Sequence, residues 1–347
     1  MKKTACPGLL SVLLMIVSLV PVSAVAQSNW AVSNRFHVGG EGGWDYITVD
    51  PATHRLYVTR STHTMVIDGE SGKTIADIRG QKRSHGVALV PEAGRGFISD
   101  GGGEGGIVVF DLKTNAVLGT LPAMPDTDGI IYDKASNQVL AVSGDGGALM
   151  VIDPKVDPQH GKIAPAIELG GKPEFLAADG AGKAYVNLED KDLVAVVDLK
   201  QRKVLERWPV APGGSPVGMA MDPQNRVLFI GCRNPQKLIV MNADTGKVLA
   251  DLPIGAGVDA TKFSGSQAFA SCRDGKLEVA GETSPGKFTL LQTVATPQGA
   301  RTMTLDPSTQ TIYLPTAELE AAKPGTRPQA KPGSFMIVVV NQKNNKK

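Results

Sequence analysis

One short pattern recurs along almost the whole chain and constrains the fold more than any other feature. The segment DPATHRLYVTR, from Asp50 to Arg60, is followed by MVIDGESGKTIADI, and related segments return downstream. Each unit can be aligned on the end of its first predicted strand. Seven such positions occur, about 40 to 46 residues apart: Asp50, Val90, Asp133, Asp179, Asp222, Phe263 and Asp306. This period is typical of a four-stranded propeller blade and is too long for a leucine-rich repeat.

The units contain short runs rich in β-branched and aromatic residues, four in all but the last, separated by Gly, Asn, Asp or Pro. Such runs indicate strands joined by tight turns, and no segment shows sustained helical periodicity. We therefore expect an all-β chain, a seven-bladed β-propeller of four-stranded blades, with residues 27–347 as a single domain. No blade buries both of its faces alone, whereas a closed ring of blades does.

The last unit lacks a fourth strand at its C-terminal end. The segment VSNRFHVGGEG, from Val32 to Gly42, resembles KVLADLPIGAG of the fifth unit, so the N-terminal strand is expected to complete the last blade. Closing the ring in this way protects the strand edges. The polar insert at 321–333 is expected to form a flexible flap on the top face of that blade.

The N-terminus has the pattern of a secretory signal peptide. Lys2 and Lys3 precede an apolar run from Leu9 to Val20 and the small-residue sequence SAVAQ, which predicts a signal peptide over residues 1–26. No later segment approaches the roughly 20 apolar residues of a transmembrane helix. Loss of the two lysines leaves 34 basic and 34 acidic residues, which argues against polyanion binding driven by bulk charge. We expect a periplasmic or secreted monomer.

The phrases RLYVTR, MVID and GKTIADI resemble the YVTN family of β-propeller repeats, which occurs in exported bacterial and archaeal proteins. The resemblance covers nearly the whole mature chain, although the second and sixth units depart from it with GRGFISD and QAFASCRD. It implies the propeller fold and export. It says little about chemistry, because propellers include enzymes, scaffolds and binding proteins.

Candidate functional residues lie where the first strands begin and where second and third strands are joined, because both sets of loops surround one end of the central channel. Most of them carry charge. The expected ligand-binding residues are Asp45, His85, Asp128, Glu174, Arg233, Asp259, Arg273 and Arg301. The arginines suit a carboxylate or phosphate, or they pair with acidic neighbours at the ends of the blades.

Several acidic residues in one ring require a compensating cation, raised carboxyl pKa values or a neighbouring guanidinium such as that of Arg301. Asp45, Asp128 and Asp259 are the candidate metal ligands, and carboxylate oxygens suit Ca²⁺ or Mg²⁺. The spacing matches no tight ligand motif, and such residues also orient turns or hold channel water. No cofactor is therefore predicted, with a divalent cation as the alternative.

Three functions are compatible with these residues. The first is binding of a small molecule, a cell-envelope macromolecule or a protein at the channel mouth, because no catalytic signature is present. The second is a lactonase-like hydrolase, in which His85 is the acid or base, Glu174 is its partner and the arginines hold the substrate carboxylate. The third is binding of single-stranded nucleic acid or another polyanion, which the neutral charge makes the weakest of the three.

Two cysteines and three aromatic residues complete the set. Cys232 and Cys272 occupy equivalent places in neighbouring units. Packed sheets lie about 10 Å apart, whereas bridged Cα atoms lie roughly 4.4 to 6.8 Å apart. We therefore expect two buried thiols. Trp44, Tyr46 and Phe175 lie near the proposed mouth, where they either stack on a ligand or close the channel.

Overall fold

The structure is a computed structural model that describes residues 29–321 and 328–343. The described residues form antiparallel β-sheets without an α-helix, and two short 3-10 turns span Pro91–Ala93 and Glu189–Lys191. The all-β prediction is confirmed. The predicted signal peptide lies outside the described residues, as does the centre of the insert. Within the described ranges, no helix is both long and apolar enough to cross a membrane.

The strands follow the repeat order that the sequence predicts. The chain begins with β1 (Trp30–His37). A seven-stranded sheet follows, made of β2 (Ile47–Asp50), β3 (Arg55–Thr59), β4 (Ser61–Asp68), β5 (Thr74–Val90), β6 (Arg95–Asp100), β7 (Gly106–Asp111) and β8 (Val117–Pro122). The next sheet contains β9 (Thr127–Asp133), β10 (Gln138–Ser143), β11 (Ala148–Ile152) and β12 (Ile167–Glu168).

Four-stranded sheets make up the rest of the described chain. One contains β13 (Pro173–Ala178), β14 (Lys183–Leu188), β15 (Leu193–Asp198) and β16 (Lys203–Pro209). The next contains β17 (Pro216–Asp222), β18 (Val227–Arg233), β19 (Gln236–Asn242) and β20 (Val248–Pro253). Another contains β21 (Val258–Ser264), β22 (Gln267–Cys272), β23 (Lys276–Ser284) and β24 (Lys287–Ala295). The last contains β25 (Thr304–Asp306), β26 (Thr311–Thr316), β27 (Met336–Gln342) and β1.

The seven-stranded sheet arises because β5 is one continuous strand of 17 residues. Its first half pairs with β4, and its second half pairs with β6. It is therefore the fourth strand of one repeat unit and the first strand of the next. The repeat pattern predicts a boundary between two strands here, whereas in the structure one strand runs through it.

The two ends of the described chain meet in one sheet. Strand β1 pairs antiparallel with β27, with Trp30 opposite Gln342 and His37 opposite Met336. The pairing predicted for the N-terminal segment is therefore confirmed. It covers the edge that β27 would otherwise expose.

Apolar side chains fill the space between the faces of successive sheets. Tyr57 and Phe110 belong to a cluster between the two halves of the seven-stranded sheet, while Phe36, Ile47 and Ile337 join the last sheet to the first. Burying one such side chain stabilises the fold by about 1.5 to 3 kcal/mol. Because each sheet packs on two neighbours, the sheets follow one another in a propeller-like circuit.

The aspartates that end many first strands have a local structural role. The Asp50 carboxylate accepts hydrogen bonds from the backbone N–H of Ala52 and the hydroxyl of Thr53, at 3.0 and 2.7 Å. Asp133 and Asp222 make the same kind of contacts with the turns that follow them. These carboxylates satisfy backbone donors where each hairpin turns. The repeated Asp therefore reflects turn geometry rather than binding chemistry.

Candidate functional site

The structure brings all the predicted ligand-binding residues to one end of the first strands. They surround a cavity of about 1290 Å³, whose lining includes Asp45, His85, Asp128, Glu174, Arg233, Asp259, Arg273 and Arg301. Asp128, Glu174 and Asp259 are the second residues of β9, β13 and β21, and Asp45 and Arg301 shortly precede β2 and β25. His85 lies within β5, Arg233 ends β18 and Arg273 follows β22. We call this cavity and its lining the mouth.

Ion pairs and hydrogen bonds link one side of the mouth into a continuous chain of contacts. Nη2 of Arg301 lies 3.2 Å from Oδ1 of Asp45, and Arg301 also pairs with Asp259. Asp259 pairs in turn with Arg233, whose Nη1 lies 2.9 Å from Glu189 and 3.5 Å from Glu174. The carboxylate of Asp259 therefore lies between two guanidinium groups.

This arrangement explains how the mouth tolerates its arginines. Burial opposes the charged form of Arg233 and Arg301, but the adjacent carboxylates outweigh burial and raise the pKa of both groups. Both guanidinium groups remain cationic and are already neutralised by protein carboxylates. Arg273 lines the same cavity.

On the other side, His85 pairs with Asp45. Nδ1 of His85 lies 2.7 Å from Oδ2 of Asp45 and 3.5 Å from Oδ1 of Asp128. Burial disfavours the imidazolium, yet the hydrogen bond to Asp45 and the charges of both aspartates raise the pKa of His85. Nε2 is buried without a hydrogen-bond partner. The sequence-based lactonase hypothesis paired His85 with Glu174, whereas Glu174 contacts Arg233 and Glu189.

Two carboxyl groups of the mouth favour their protonated forms. Burial raises the pKa of Asp128 to about 7, with Asp45 adding to the rise and His85 opposing it. Burial also raises the pKa of Glu174 to about 9, and repulsion by Asp128 and Glu189 adds to the effect. Both carboxyl groups therefore hold protons that a bound cation would displace.

The described residues provide one group that resembles a metal site. One donor atom each from Asp45, His85 and Asp128 lies within 4.8 Å of the others. An imidazole nitrogen with two carboxylates differs from the all-oxygen set that Ca²⁺ and Mg²⁺ prefer. The short Nδ1 to Oδ2 distance of 2.7 Å between His85 and Asp45 fits a shared proton. Asp259, the third sequence-based candidate, pairs with arginines instead.

The loop that leads to Asp45 depends on a buried arginine. The Arg60 guanidinium donates hydrogen bonds to all the carbonyl oxygens of Gly39–Gly43, at 2.8 to 3.4 Å. It also lies over the ring of Phe335, with Cζ 3.7 Å from the ring centroid. Arg60 is 1% exposed, and burial lowers its pKa to about 10. Arg60 therefore shapes the mouth without facing a ligand.

The aromatic residues near the mouth pack on protein groups. Tyr46 directly precedes β2, and Phe175 lies on β13. Their rings lie 5.1 Å apart at an angle of 41°. Trp44 packs on Phe335 with ring centroids 6.0 Å apart. Burial and the nearby carboxylates, Asp128 first among them, raise the pKa of Tyr46 and keep its hydroxyl protonated. Tyr46 lines the mouth, and Tyr46 and Phe175 also line a second cavity.

Cys232 and Cys272 are both free and buried, as predicted. They lie in different apolar clusters, and burial raises the pKa of both thiols. The described flanks of the insert pair with each other through Leu319 and Ala330, and the 328–333 segment lines the mouth. Residues 322–327 lie outside the described ranges.

Two charged residues near these cavities were not among the predicted site residues: Glu189 beside the mouth and Lys262 in the lining of a second cavity. Glu189 lies in a second-to-third-strand loop and neutralises Arg233. Lys262 lies on β21, one position before the aligned residue Phe263. The corresponding residues of the other units are apolar or aromatic: Val49, Leu89, Tyr132, Ala178, Met221 and Leu305. A charged residue at a position that is otherwise apolar or aromatic is the sequence signal that could have identified Lys262.

Comparison with known proteins supports the fold and leaves the chemistry open. No protein-family model matches the chain, and no curated protein matches it. The solved structure of Kuenenia stuttgartiensis hydrazine synthase is similar, with a TM-score of 0.68 and 13% sequence identity over 80% of this chain and 94% of that chain. At this identity the similarity concerns the fold alone.

Proposed function

We propose that this chain is an exported, seven-bladed β-propeller of the YVTN-like repeat type, and that it binds a small ligand at the mouth. In this proposal the seven-stranded sheet is two blades that share β5. The predicted signal peptide supports export, and the pairing of β1 with β27 supports ring closure.

We further propose that the ligand carries a cationic group, such as a primary amine. One observation supports this choice. Asp45, Asp128, Glu174, Glu189 and Asp259 form one network of contacts with the guanidinium groups of Arg233 and Arg301 and the imidazole of His85. Burial, together with repulsion between these carboxylates, raises the pKa values of Asp128 and Glu174. A bound ammonium group would favour the ionised forms of these two carboxyl groups, which would release protons as it binds.

A thermal-shift screen of the signal-cleaved protein tests the proposal. The probes are spermidine, glucosamine, glucose, gluconate, gluconolactone and a short single-stranded oligonucleotide, each with and without chelator, and divalent cations alone. We expect amines to raise the melting temperature with saturation, because a ligand that binds only the folded state stabilises it. Asp128→Asn and Glu174→Gln should abolish the shift. Glu70→Gln, an exposed turn residue, is the matched control.

Calorimetric titration in two buffers with different ionisation enthalpies provides the second readout. Binding of the amine near pH 7.5 should release protons in the wild type and fewer in Glu174→Gln. A saturating shift with gluconate or the oligonucleotide, but not with amines, would contradict the cationic ligand. If no small molecule produces a shift, a macromolecular partner becomes the next hypothesis, and a pull-down from the cell envelope tests it.

The raised pKa values of Asp128 and Glu174 favour one alternative, a lactonase-like hydrolase. A carboxyl group protonated near neutral pH is suited to general acid catalysis. Hydrolysis of gluconolactone, followed by proton release, tests this function. The alternative requires a rate above the spontaneous one that Glu174→Gln lowers. His85→Gln should affect this rate only through the position of Asp45, because Nδ1 is engaged and Nε2 is buried.

A further inference from the structure

A second cavity of about 280 Å³ lies along the first strands, on the side of Tyr46 that faces away from the mouth. It extends from Tyr46 and Phe175 to Pro51 and Pro91 near the opposite ends of the strands. Apolar residues are the larger part of its lining, including Ile47, Val87, Leu89, Ile131 and Met303, and Thr48 and Thr261 add polar groups. Its volume is close to the lower end of ligand pockets, which is roughly 300 Å³.

Lys262 is the one cationic side chain in this lining. Its Nζ lies 5.6 Å from the centroid of the Phe175 ring. Among the described residues, no carboxylate lies within ion-pair distance of it. The lining carboxylate, Asp50, already accepts hydrogen bonds from its own turn. Burial lowers the pKa of Lys262, and no neighbouring charge contributes to that shift.

An ammonium group in this position lowers the stability of the ligand-free protein. Lys262 is half-buried. A partly desolvated charge without an ionic partner costs free energy, and a cation–π contact offsets only part of that cost. The fold does not require a lysine there, since the six corresponding positions carry apolar or aromatic residues. The unpaired ammonium inside an apolar cavity therefore points to an anionic ligand.

We propose that this second cavity binds a small monocarboxylate with an apolar or aromatic body, and that Lys262 binds its carboxylate. The body of the ligand lies against Phe175, Tyr132 and the aliphatic wall. A charge-assisted hydrogen bond from Nζ supplies orientation, while burial of apolar surface supplies most of the affinity. This site is separate from the mouth and does not depend on the function proposed for it.

Isothermal titration of the mature protein with benzoate and hexanoate tests the site, with benzamide and hexylamine as neutral and cationic analogues. We expect the carboxylates to bind at least about tenfold more tightly than benzamide, a difference of about 1.4 kcal/mol. Lys262→Met and Lys262→Gln should remove this preference. Lys287→Met is the matched control, because Lys287 is an exposed lysine on β24 of the same sheet.

The ligand-free protein provides a readout independent of any probe. We expect Lys262→Met to melt at a higher temperature than the wild type, because the substitution removes a half-buried charge that has no ionic partner. The proposal is overturned if none of the carboxylates binds at millimolar concentration, if benzamide binds as tightly as benzoate, or if benzoate binding is unchanged in both Lys262 variants. Having two variants keeps the test valid if one of them does not fold.

Discussion

His54 and Asp306 join the first and last repeat units at the face opposite the mouth. Nδ1 of His54, in the turn after β2, lies 2.7 Å from Oδ2 of Asp306 at the end of β25. Arg226, at the equivalent position after β17, reaches Asp179 of the preceding unit at 3.1 Å. Both residues have a left-handed backbone conformation, with φ near 55°. A side chain at this turn therefore links neighbouring units.

The His54 contact should make stability depend on pH. The hydrogen bond to Asp306 raises the pKa of His54 and outweighs burial. For Asp306, burial acts in the opposite direction, but hydrogen bonds from Ser308 and His54 lower its pKa. The contact therefore stabilises the fold between these two pKa values and is lost as pH rises through that of His54.

We expect His54→Gln to lower the melting temperature at pH 6 and to have a smaller effect at pH 9. Thermal unfolding followed by circular dichroism at both pH values checks this. Arg226→Gln is the matched control, since a guanidinium keeps its charge over this range and its effect should be the same at both values. An equal loss at both pH values for His54→Gln would show that the contact is not ionic.

The carboxyl groups of the mouth should also make the fold less stable as pH rises. The pKa values of Asp128 and Glu174, about 7 and about 9 in the folded chain, exceed the ordinary carboxyl values. The folded state thus favours protonation, and its stability should decrease as pH rises from about 5 to 9. Urea unfolding at several pH values measures the slope. Asp128→Asn with Glu174→Gln should flatten it, and an unchanged slope in the double variant would contradict this account.

Asp259 should contribute more to stability than an exposed carboxylate does. Asp259→Asn removes the charge between Arg233 and Arg301, and we expect a loss of about 2 to 3 kcal/mol in the free energy of unfolding. Asp251→Asn breaks an exposed pair with Lys237 and should cost less than about 1 kcal/mol. Urea denaturation measures both. Equal effects would mean that the two arginines are held without Asp259.

Arg60 should be essential for the loop that leads to the mouth. Arg60→Met keeps the side-chain volume but leaves the carbonyl groups of Gly39–Gly43 without their donor, at a cost of about 3 kcal/mol or more. Amide hydrogen exchange in this loop should become faster in Arg60→Met. Amine binding at the mouth should become weaker in the same variant. Arg35→Met, on the exposed side of β1, should change neither property. Unaltered exchange in Arg60→Met would contradict the role of Arg60.

Much of the architecture could be predicted because it depends on patterns between residues that are close in sequence. Strand residues alternate with a period of two, and turns require Asp, Asn or Gly at fixed positions. The pairing of β1 with β27 followed from a missing fourth strand and a matching N-terminal segment. The continuity of β5 could not be predicted, because a strand passes through a unit boundary only when both neighbouring sheets accept its register.

The chain alone determined the repeat, the strand order and the charged residues that line the mouth. Tertiary structure decided their partners. Arg301 and Asp45 are 256 residues apart in the chain, and His85 contacts Asp45 and Asp128 rather than the expected Glu174. Only tertiary structure left Lys262 unpaired in an apolar cavity. The physical reason is that strand and turn preferences act between near neighbours in sequence, whereas ion pairing and desolvation depend on distances of a few ångströms across the closed circuit of sheets.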